Sequence, residues 1–102
     1  MKFASLGSGS EGNGLVIAGR SGATVTQVLL DCGFGLKEAE RRLARLGIEP
    51  SQLGGIVVTH EHSDHIGGVF KLARRYRLPV WLSHGTWSGA ARDDALGVDI
   101  RI

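Results

Sequence analysis

The chain has 102 residues, of which 42% are hydrophobic and 22% charged, and its formal net charge is +2. These values are typical of a single folded domain and exclude a disordered or fibrous chain. No apolar run approaches the ~20 residues that cross a bilayer, and the first ten residues lack the apolar segment of a signal peptide. Together with a single cysteine, Cys32, which has no partner for an internal disulfide, this predicts a cytoplasmic protein without a membrane span.

Strand-like segments open the chain. The segments KFASL, LVIAG and TVTQVLLDCG are predicted strands, and the glycine-rich stretch GSGSEGNG forms a loop between the first two. The third strand ends in a nearly continuous apolar run, which suggests burial on both faces. A helix follows from Leu36 to Leu46, because its apolar residues recur at intervals of three and four, and Gly47 is the expected stop.

The second half of the chain continues the alternation of strands and helices. GIVVTH is a short buried strand, Ile66 to Tyr76 carries a helical apolar stripe that ends before Pro79, and PVWLSH and VDIRI are further strands. Such alternation predicts a layered α/β fold. The 16 glycines are more than twice the ~7% average and suggest tight turns around a site.

The stretch THEHSDH carries three of the four histidines. If the strand runs on into its loop, side chains two apart point to the same side, so that His60 and His62 can bind one metal ion. Asp64 and His65 follow at the entrance to the next helix, where they can turn toward a second ion. Imidazole and carboxylate ligands suit Zn²⁺, and Mn²⁺ or Fe²⁺ can occupy such a site too. The alternative is a histidine-rich helix cap that binds nothing; the zinc-protease motif His-Glu-x-x-His is not met.

The stretch VVTHEHSDHIGG resembles the signature of the metallo-β-lactamase-fold hydrolases, Thr-His-x-His-x-Asp-His-x-Gly-Gly. LLDCG places Asp31 where that family has a strand-ending aspartate, and GSGSEGN is similar to a loop of its bacterial exonuclease-like subgroup. The resemblance implies a first metal on His60 and His62, and a second on Asp64 and His65. It also implies a metal-bridging hydroxide as the nucleophile, positioned by Asp64, and a ligand loop oriented by hydrogen bonds from Asp31.

The resemblance also implies a fold. We expect an α/β chain that is the N-terminal half of a four-layer αββα metallo-β-lactamase sandwich, with residues 1–102 as a partial domain. The family's later ligands, a histidine, a bridging aspartate and another histidine, have no counterpart here. The missing C-terminal half, or a partner chain, would be needed to complete the site, and a half sandwich would expose an apolar sheet face.

Several functions are compatible with this cluster. The leading interpretation is phosphodiester hydrolysis of DNA or RNA, supported by the glycine-rich loop and by arginines and lysines grouped on the two helices, although such groups are more often solvated helix faces. The alternatives are hydrolysis of a small thioester, lactone or β-lactam, and a metal-binding module without catalysis. A di-iron oxidoreductase of this fold is disfavoured because it typically has glutamate where this chain has His62.

Other features have weaker interpretations. The glycines at 7, 9 and 12 match Gly-x-Gly-x-x-Gly, but a strand follows them instead of the helix that dinucleotide binding requires. Ser8, Ser10 and Asn13 either meet substrate oxygens or form a simple turn. His84 is not expected to be a ligand, because the family's next ligand histidine lies beyond further strands. Trp81 and Trp87 are expected to pack rather than stack on bases, and Cys32 is expected to fill space beside Asp31 rather than react.

Overall fold

The structure is a computed structural model that describes residues 2–7, 12–59, 66–89 and 95–102. The strands in these ranges are β1 (Lys2–Gly7), β2 (Gly14–Ser21), β3 (Thr24–Leu30), β4 (Ile56–Val58), β5 (Val80–Leu82) and β6 (Ile100–Arg101). The helices are α1 (Leu36–Arg45), α2 (Val69–Tyr76) and α3 (His84–Gly89), with a 3₁₀ turn at Pro50–Gln52. Among the described helices, none is long and apolar enough to cross a membrane.

The strands form one sheet in chain order from β1 to β6. The pairs β1–β2 and β2–β3 are antiparallel, whereas β3, β4, β5 and β6 are parallel neighbours. A parallel pair requires a crossover, because the chain must return to the same end of the sheet before the next strand begins. Helices α1 and α2 lie in the first two crossovers. As a result, β1, β3, β4 and β5 all end at the same side of the sheet, which we call the carboxyl edge.

Helix α1 begins and ends close to where the sequence pattern predicts. Its last turn is closed by a pair of hydrogen bonds: the Gly47 N–H donates to the carbonyl of Ala44 at 2.9 Å, and the Ile48 N–H donates to that of Leu43 at 3.0 Å. This is the Schellman arrangement, which requires a left-handed residue after the helix. Gly47 supplies it with a φ of 72°, so the predicted helix stop is confirmed.

The hydrophobic core lies between the helices and one face of the sheet. Helix α1 contributes Ala39 and Leu43, both fully buried, and α2 contributes a larger apolar stripe. The sheet residues that meet them alternate along the strands and occupy one cross-strand row: Val16, Leu29, Ile56 and Val80. Outside the core, the Tyr76 hydroxyl of α2 donates a hydrogen bond to Glu40 of α1, which ties the two helices together.

The opposite face of the sheet is apolar but lies outside the core of the described residues. It carries Phe3, which is 63% exposed, and a half-buried row: Leu15, Ile17, Val28, Leu30, Val57 and Trp81. The prediction that the apolar end of β3 is buried on both faces is therefore wrong for this chain. Leu29 points toward the helices and is fully buried, whereas Val28 and Leu30 point to the opposite face and remain partly exposed.

Helix α3 is the main element that the sequence pattern does not predict. Its segment HGTWSG contains two glycines and is only six residues long. The Ser83 hydroxyl caps it by accepting from the Thr86 N–H at 3.1 Å. The Trp87 ring packs edge-on against Phe70 of α2, with the ring centroids 6.5 Å apart, as expected for a packing tryptophan. The predicted final strand VDIRI is shorter in the structure, where β6 comprises Ile100–Arg101.

Candidate functional site

The carboxyl edge brings two parts of the predicted site together. Asp31 directly follows β3, and Thr59 directly follows β4, and these two strands are parallel neighbours. Because parallel strands end at the same side of a sheet, two residues 28 positions apart become adjacent there. Thr59 immediately precedes His60, so the first histidine of the cluster follows a residue that this edge holds.

Asp31 grips Thr59 with both carboxylate oxygens. The Thr59 N–H donates to Oδ1 at 2.7 Å, and the Thr59 hydroxyl donates to Oδ2 at 2.6 Å. Asp31 itself is 5% exposed, and its own N–H donates to the Val57 carbonyl at 2.8 Å. Its φ of 63° is left-handed, a conformation that aspartate tolerates better than most residues but still at some cost. The left-handed backbone of Asp31 and its buried carboxylate therefore both serve to fix the position of Thr59.

The residues after Asp31 contact the far end of the histidine segment. The Gly68 N–H donates to the Cys32 carbonyl at 2.8 Å. A Cβ on Gly68 would lie 1.7 Å from the Phe34 carbonyl oxygen, so only glycine allows this approach. The segment Asp31–Phe34 therefore contacts the chain both before the histidine segment, at Thr59, and after it, at Gly68.

The same segment also contacts the end of the glycine-rich loop. The Gly33 N–H donates to the Asn13 carbonyl at 3.0 Å. Beside this bond lies a cavity of about 270 Å³ at the carboxyl edge, close to the lower limit of ligand-site volumes. Its walls combine glycine backbone, two leucines and three polar side chains: Ser5, Gly7, Asn13, Gly14, Leu15, Leu30 and Asp31.

Cys32 is buried beside this site, and its thiol is unreactive at neutral pH. Desolvation is the main reason that the pKa of its thiol is raised to about 11; a backbone hydrogen bond with Phe34 lowers this pKa, and the neighbouring Asp31 carboxylate raises it. The thiol donates to the Phe34 carbonyl at 3.6 Å. The thiol is therefore protonated at neutral pH, and a thiol is a much weaker nucleophile than a thiolate. This agrees with the prediction that Cys32 fills space beside Asp31.

The predicted metal ligands lie outside the described residues. His60, His62, Asp64 and His65 are in the range 60–65, and Ser8 and Ser10 are in the range 8–11, so their roles remain predictions. In the described ranges, no three histidine, cysteine or acidic side chains lie close enough to share a metal ion. His84 is exposed at the first position of α3.

Sequence reasoning identified Asp31 but did not identify its partners. The sequence pattern assigns no role to Thr59, the first residue of the histidine stretch, and none to Gly68 beyond its place in the family signature. The available signal was the pairing of two strand ends, an aspartate after one parallel strand and a hydroxyl residue after its neighbour. Detecting it requires the order of strands in the sheet, which the sequence pattern alone leaves open.

Comparison with known proteins identifies the family. A family model described as the metallo-beta-lactamase superfamily matches residues 10–101. Exodeoxyribonuclease YycJ of Bacillus anthracis is 40% identical over 88 residues, which are 86% of this chain and 32% of that protein. Exodeoxyribonuclease WalJ of Streptococcus pneumoniae is 35% identical over 96 residues, which are 94% of this chain and 34% of that protein.

Solved structures share the fold. The Rm3 metallo-beta-lactamase matches with a TM-score of 0.69 and 22% identity, over 98% of this chain and 41% of that one. The short form of human tRNase Z matches with a TM-score of 0.67 and 19% identity, over 98% of this chain and 42% of that one. The chain spans about a third of the length of the curated relatives it matches. The predicted α/β fold and the resemblance are both confirmed, and the chain belongs to the metallo-β-lactamase superfamily.

Proposed function

We propose that this protein is a metal-dependent hydrolase that cleaves phosphodiester bonds in nucleic acid. The observation that carries the proposal is the pair of hydrogen bonds from Thr59 to Asp31, 2.7 and 2.6 Å long. They fix the residue directly before a His-x-His-x-Asp-His sequence, and a metal site needs such support, because ligands gain affinity when their position is set in advance.

Metal binding is assigned to the histidine stretch. His60 and His62 would hold one divalent ion, and Asp64 and His65 a second. Their imidazole and carboxylate donors suit Zn²⁺, with Mn²⁺ and Fe²⁺ as further candidates. When bound, such ions lower the pKa of a water molecule toward neutrality and stabilise negative charge on a phosphoryl oxygen.

The chain's own contribution is to place these ligands. Asp31 acts as a positioning residue: both of its oxygens accept from Thr59, so neither the main chain nor the side chain of Thr59 can rotate freely. Asp64 would serve as a metal ligand and would help to orient the attacking water. Glu61 alternates with the two histidines and is left out of the site.

Nucleic acid is proposed as the substrate because two relatives with extensive matches are named exodeoxyribonucleases. The basic character of the helices adds to this: α1 and α2 together carry seven lysine and arginine residues against two glutamates. Such an excess attracts a phosphate backbone over distances of about 10 Å at moderate salt. The proposed location is the cytoplasm, since the lone cysteine is buried and unpaired.

The test uses the protein expressed from its complete reading frame. Purified protein is supplied with Mn²⁺ or Zn²⁺ and incubated with single-stranded DNA, RNA and a thioester. We expect cleavage of nucleic acid, and we expect His62→Ala to lose bound metal, measured by elemental analysis, and at least ~10²-fold in rate. His84→Ala is the matched control, because it removes an exposed histidine from outside the cluster. Turnover of the thioester with no cleavage of either nucleic acid would contradict the proposal.

A further inference from the structure

Both ends of the glycine-rich loop rest on one aromatic ring. Phe34 is 6% exposed and lies against Gly7, where β1 ends, and against Gly12, just before β2. A Cβ on Gly12 would lie 2.6 Å from Cε1 of this ring, and a Cβ on Gly7 would lie 2.9 Å from its Cζ. Side chains essentially never approach so closely, so a side chain at position 12 would collide with Phe34, and one at position 7 would collide with Phe34 and with Nη1 of Arg42.

Arg42 of α1 contacts both the Phe34 ring and the end of β1. Its guanidinium carbon lies 4.0 Å above the centre of the Phe34 ring, a cation–π distance. Its Nη1 donates to the Leu6 carbonyl at 2.6 Å, and its Nε donates to Glu38 at 2.7 Å, which lowers the pKa of that carboxyl group. One planar group thus stacks on the ring, binds the end of β1 and is itself held by its own helix. Lysine cannot reproduce this geometry, because its compact ammonium group lacks the planar, forked set of N–H donors of a guanidinium.

These contacts border the cavity at the carboxyl edge. Gly7 and Asn13 form one side of it, and Asp31 forms another. Phe34 supports Gly7 directly, and the Gly33 N–H beside it holds the Asn13 carbonyl at 3.0 Å. The distance between the loop ends and Asp31 is therefore set by the Phe34–Arg42 pair and by the backbone next to it.

We propose that the Phe34 ring and the Arg42 guanidinium are positioning groups that shape this cavity as a substrate subsite, so that they determine affinity for the nucleic acid and leave the chemical step unchanged. The inference rests on the proposed function for the identity of the substrate. It follows from the location of the two groups. The guanidinium binds the Leu6 carbonyl and the ring supports Gly7, both at the β1 side of the cavity, whereas Thr59 is held by the Asp31 carboxylate. A group placed in this way changes how well substrate fits, since uniform binding changes KM without changing kcat.

The experiment compares two arginines of one helix. Arg42→Lys keeps the charge but loses the stacked fork, while Arg41→Lys makes the same change at a neighbour whose side chain is 63% exposed. In the protein expressed from its complete reading frame, with a single-stranded DNA oligonucleotide and Mn²⁺, we expect Arg42→Lys to raise KM about tenfold, the size of one lost charge-assisted hydrogen bond. Its kcat stays within about twofold, and Arg41→Lys matches the wild type. Equal KM values for the two variants, or a fall in kcat alone, would overturn the proposal.

A second measurement is independent of catalysis. Amide hydrogen exchange is followed at Leu6, Gly12 and Asn13 in the wild type, in Arg42→Lys and in Phe34→Leu, with Ile56–Val58 of β4 as the internal reference. We expect faster exchange at the loop ends and unchanged exchange in β4. If the wild type cleaves no nucleic acid, the proposed function fails, and this measurement still decides whether the pair holds the loop. Unchanged exchange at the loop ends in both variants would overturn that role.

Discussion

At the scale of single residues, Asp31 combines three features that seldom occur together. It is buried, its backbone is left-handed, and both of its carboxylate oxygens accept from one neighbour, Thr59. A left-handed non-glycine residue costs about 1 kcal/mol or more and persists only where surrounding contacts compensate. Here the pair of short hydrogen bonds to Thr59 offsets this conformational cost. The bonds link the backbone conformation at the end of β3 to the position of the end of β4.

Two substitutions of Asp31 should separate the contribution of its hydrogen bonds to stability from the cost of its backbone conformation. Asp31→Gly removes both bonds but suits the positive φ, and we expect the free energy of unfolding to fall by about 2 to 3 kcal/mol. Asp31→Ala loses the same bonds and adds about 1 kcal/mol of backbone cost. Asp99→Ala is the control, since its carboxylate is 57% exposed and paired with Arg101, and should cost less than about 1 kcal/mol. Urea titrations measure all three; if Asp31→Gly were as stable as Asp99→Ala, the bonds to Thr59 would contribute nothing.

Cys32 should make stability depend on pH in the alkaline range. Burial raises its pKa from 9.0 to about 11, so the unfolded chain releases the thiol proton first. The stabilising contribution is fully present below pH 9 and falls by about 2 to 3 kcal/mol as the pH rises to 11. The measurement is the free energy of unfolding at pH 7, 9 and 10.5 for wild type and Cys32→Ala, which removes the titrating group. A difference between the two proteins that stays constant with pH would be incompatible with a buried, shifted thiol.

At the scale of elements, the short connection between β3 and α1 organises the carboxyl edge. Asp31 holds the end of β4, the Cys32 carbonyl accepts from the start of α2, and Phe34 lies against Gly7 at the end of β1 and Gly12 before the start of β2. Four elements therefore depend on four consecutive residues, Asp31–Phe34. The close approach of α2 to this connection occurs at Gly68, where any side chain would collide with backbone rather than with a movable side chain.

Two glycine substitutions, one directly before α2 and one within α3, should have opposite effects on stability. Gly68→Ala places a Cβ 1.7 Å from the Phe34 carbonyl oxygen, and we expect a loss of about 3 kcal/mol because backbone must shift. Gly85→Ala, in α3, meets nothing within 4 Å and should gain about 0.5 to 1 kcal/mol through helix propensity. Thermal unfolding of the two variants checks the signs. Similar shifts in Tm for both would show that the approach of α2 at Gly68 is looser than described.

The elements also show what a sequence pattern can and cannot predict. The extent of α1 is predicted because its signals are local: apolar spacing, followed by a glycine that closes the last turn. Helix α3 is not predicted, since it depends on a Ser83 cap and on the packing of Trp87 against Phe70, a contact between two separate elements. The chemistry of the histidine stretch is likewise local. The Asp31–Thr59 contact is not, because it exists only when β3 and β4 pair in parallel.

At the scale of the whole molecule, the described helices cover one face of the sheet, and no described element covers the other. The helices bury the row that contains Leu29, while the alternate row stays partly exposed and begins with Phe3 at 63% exposure. Exposed apolar patches of this kind usually mark a contact surface. The chain spans about a third of the length of its curated relatives. We propose that further chain of the same protein packs on this face as a second half of the sandwich and leaves the cavity at the carboxyl edge open.

A substitution at the centre of this sheet face should show whether further chain covers it. Ile17 lies between Phe3 and Val28 in the sheet, and Ile17→Asp places a charge there. In the 102-residue chain we expect a cost of about 1 kcal/mol, since the site is already half exposed and the change mainly lowers β propensity. In the protein expressed from its complete reading frame, the same change should cost about 3 kcal/mol or more, because a charge would then be buried without a partner. Ser21→Asp, at the exposed end of the same strand, controls for added charge and should cost equally little in both. The comparison rests on urea unfolding of each pair, and an Ile17→Asp cost that is the same at both lengths would mean that nothing further packs on this sheet.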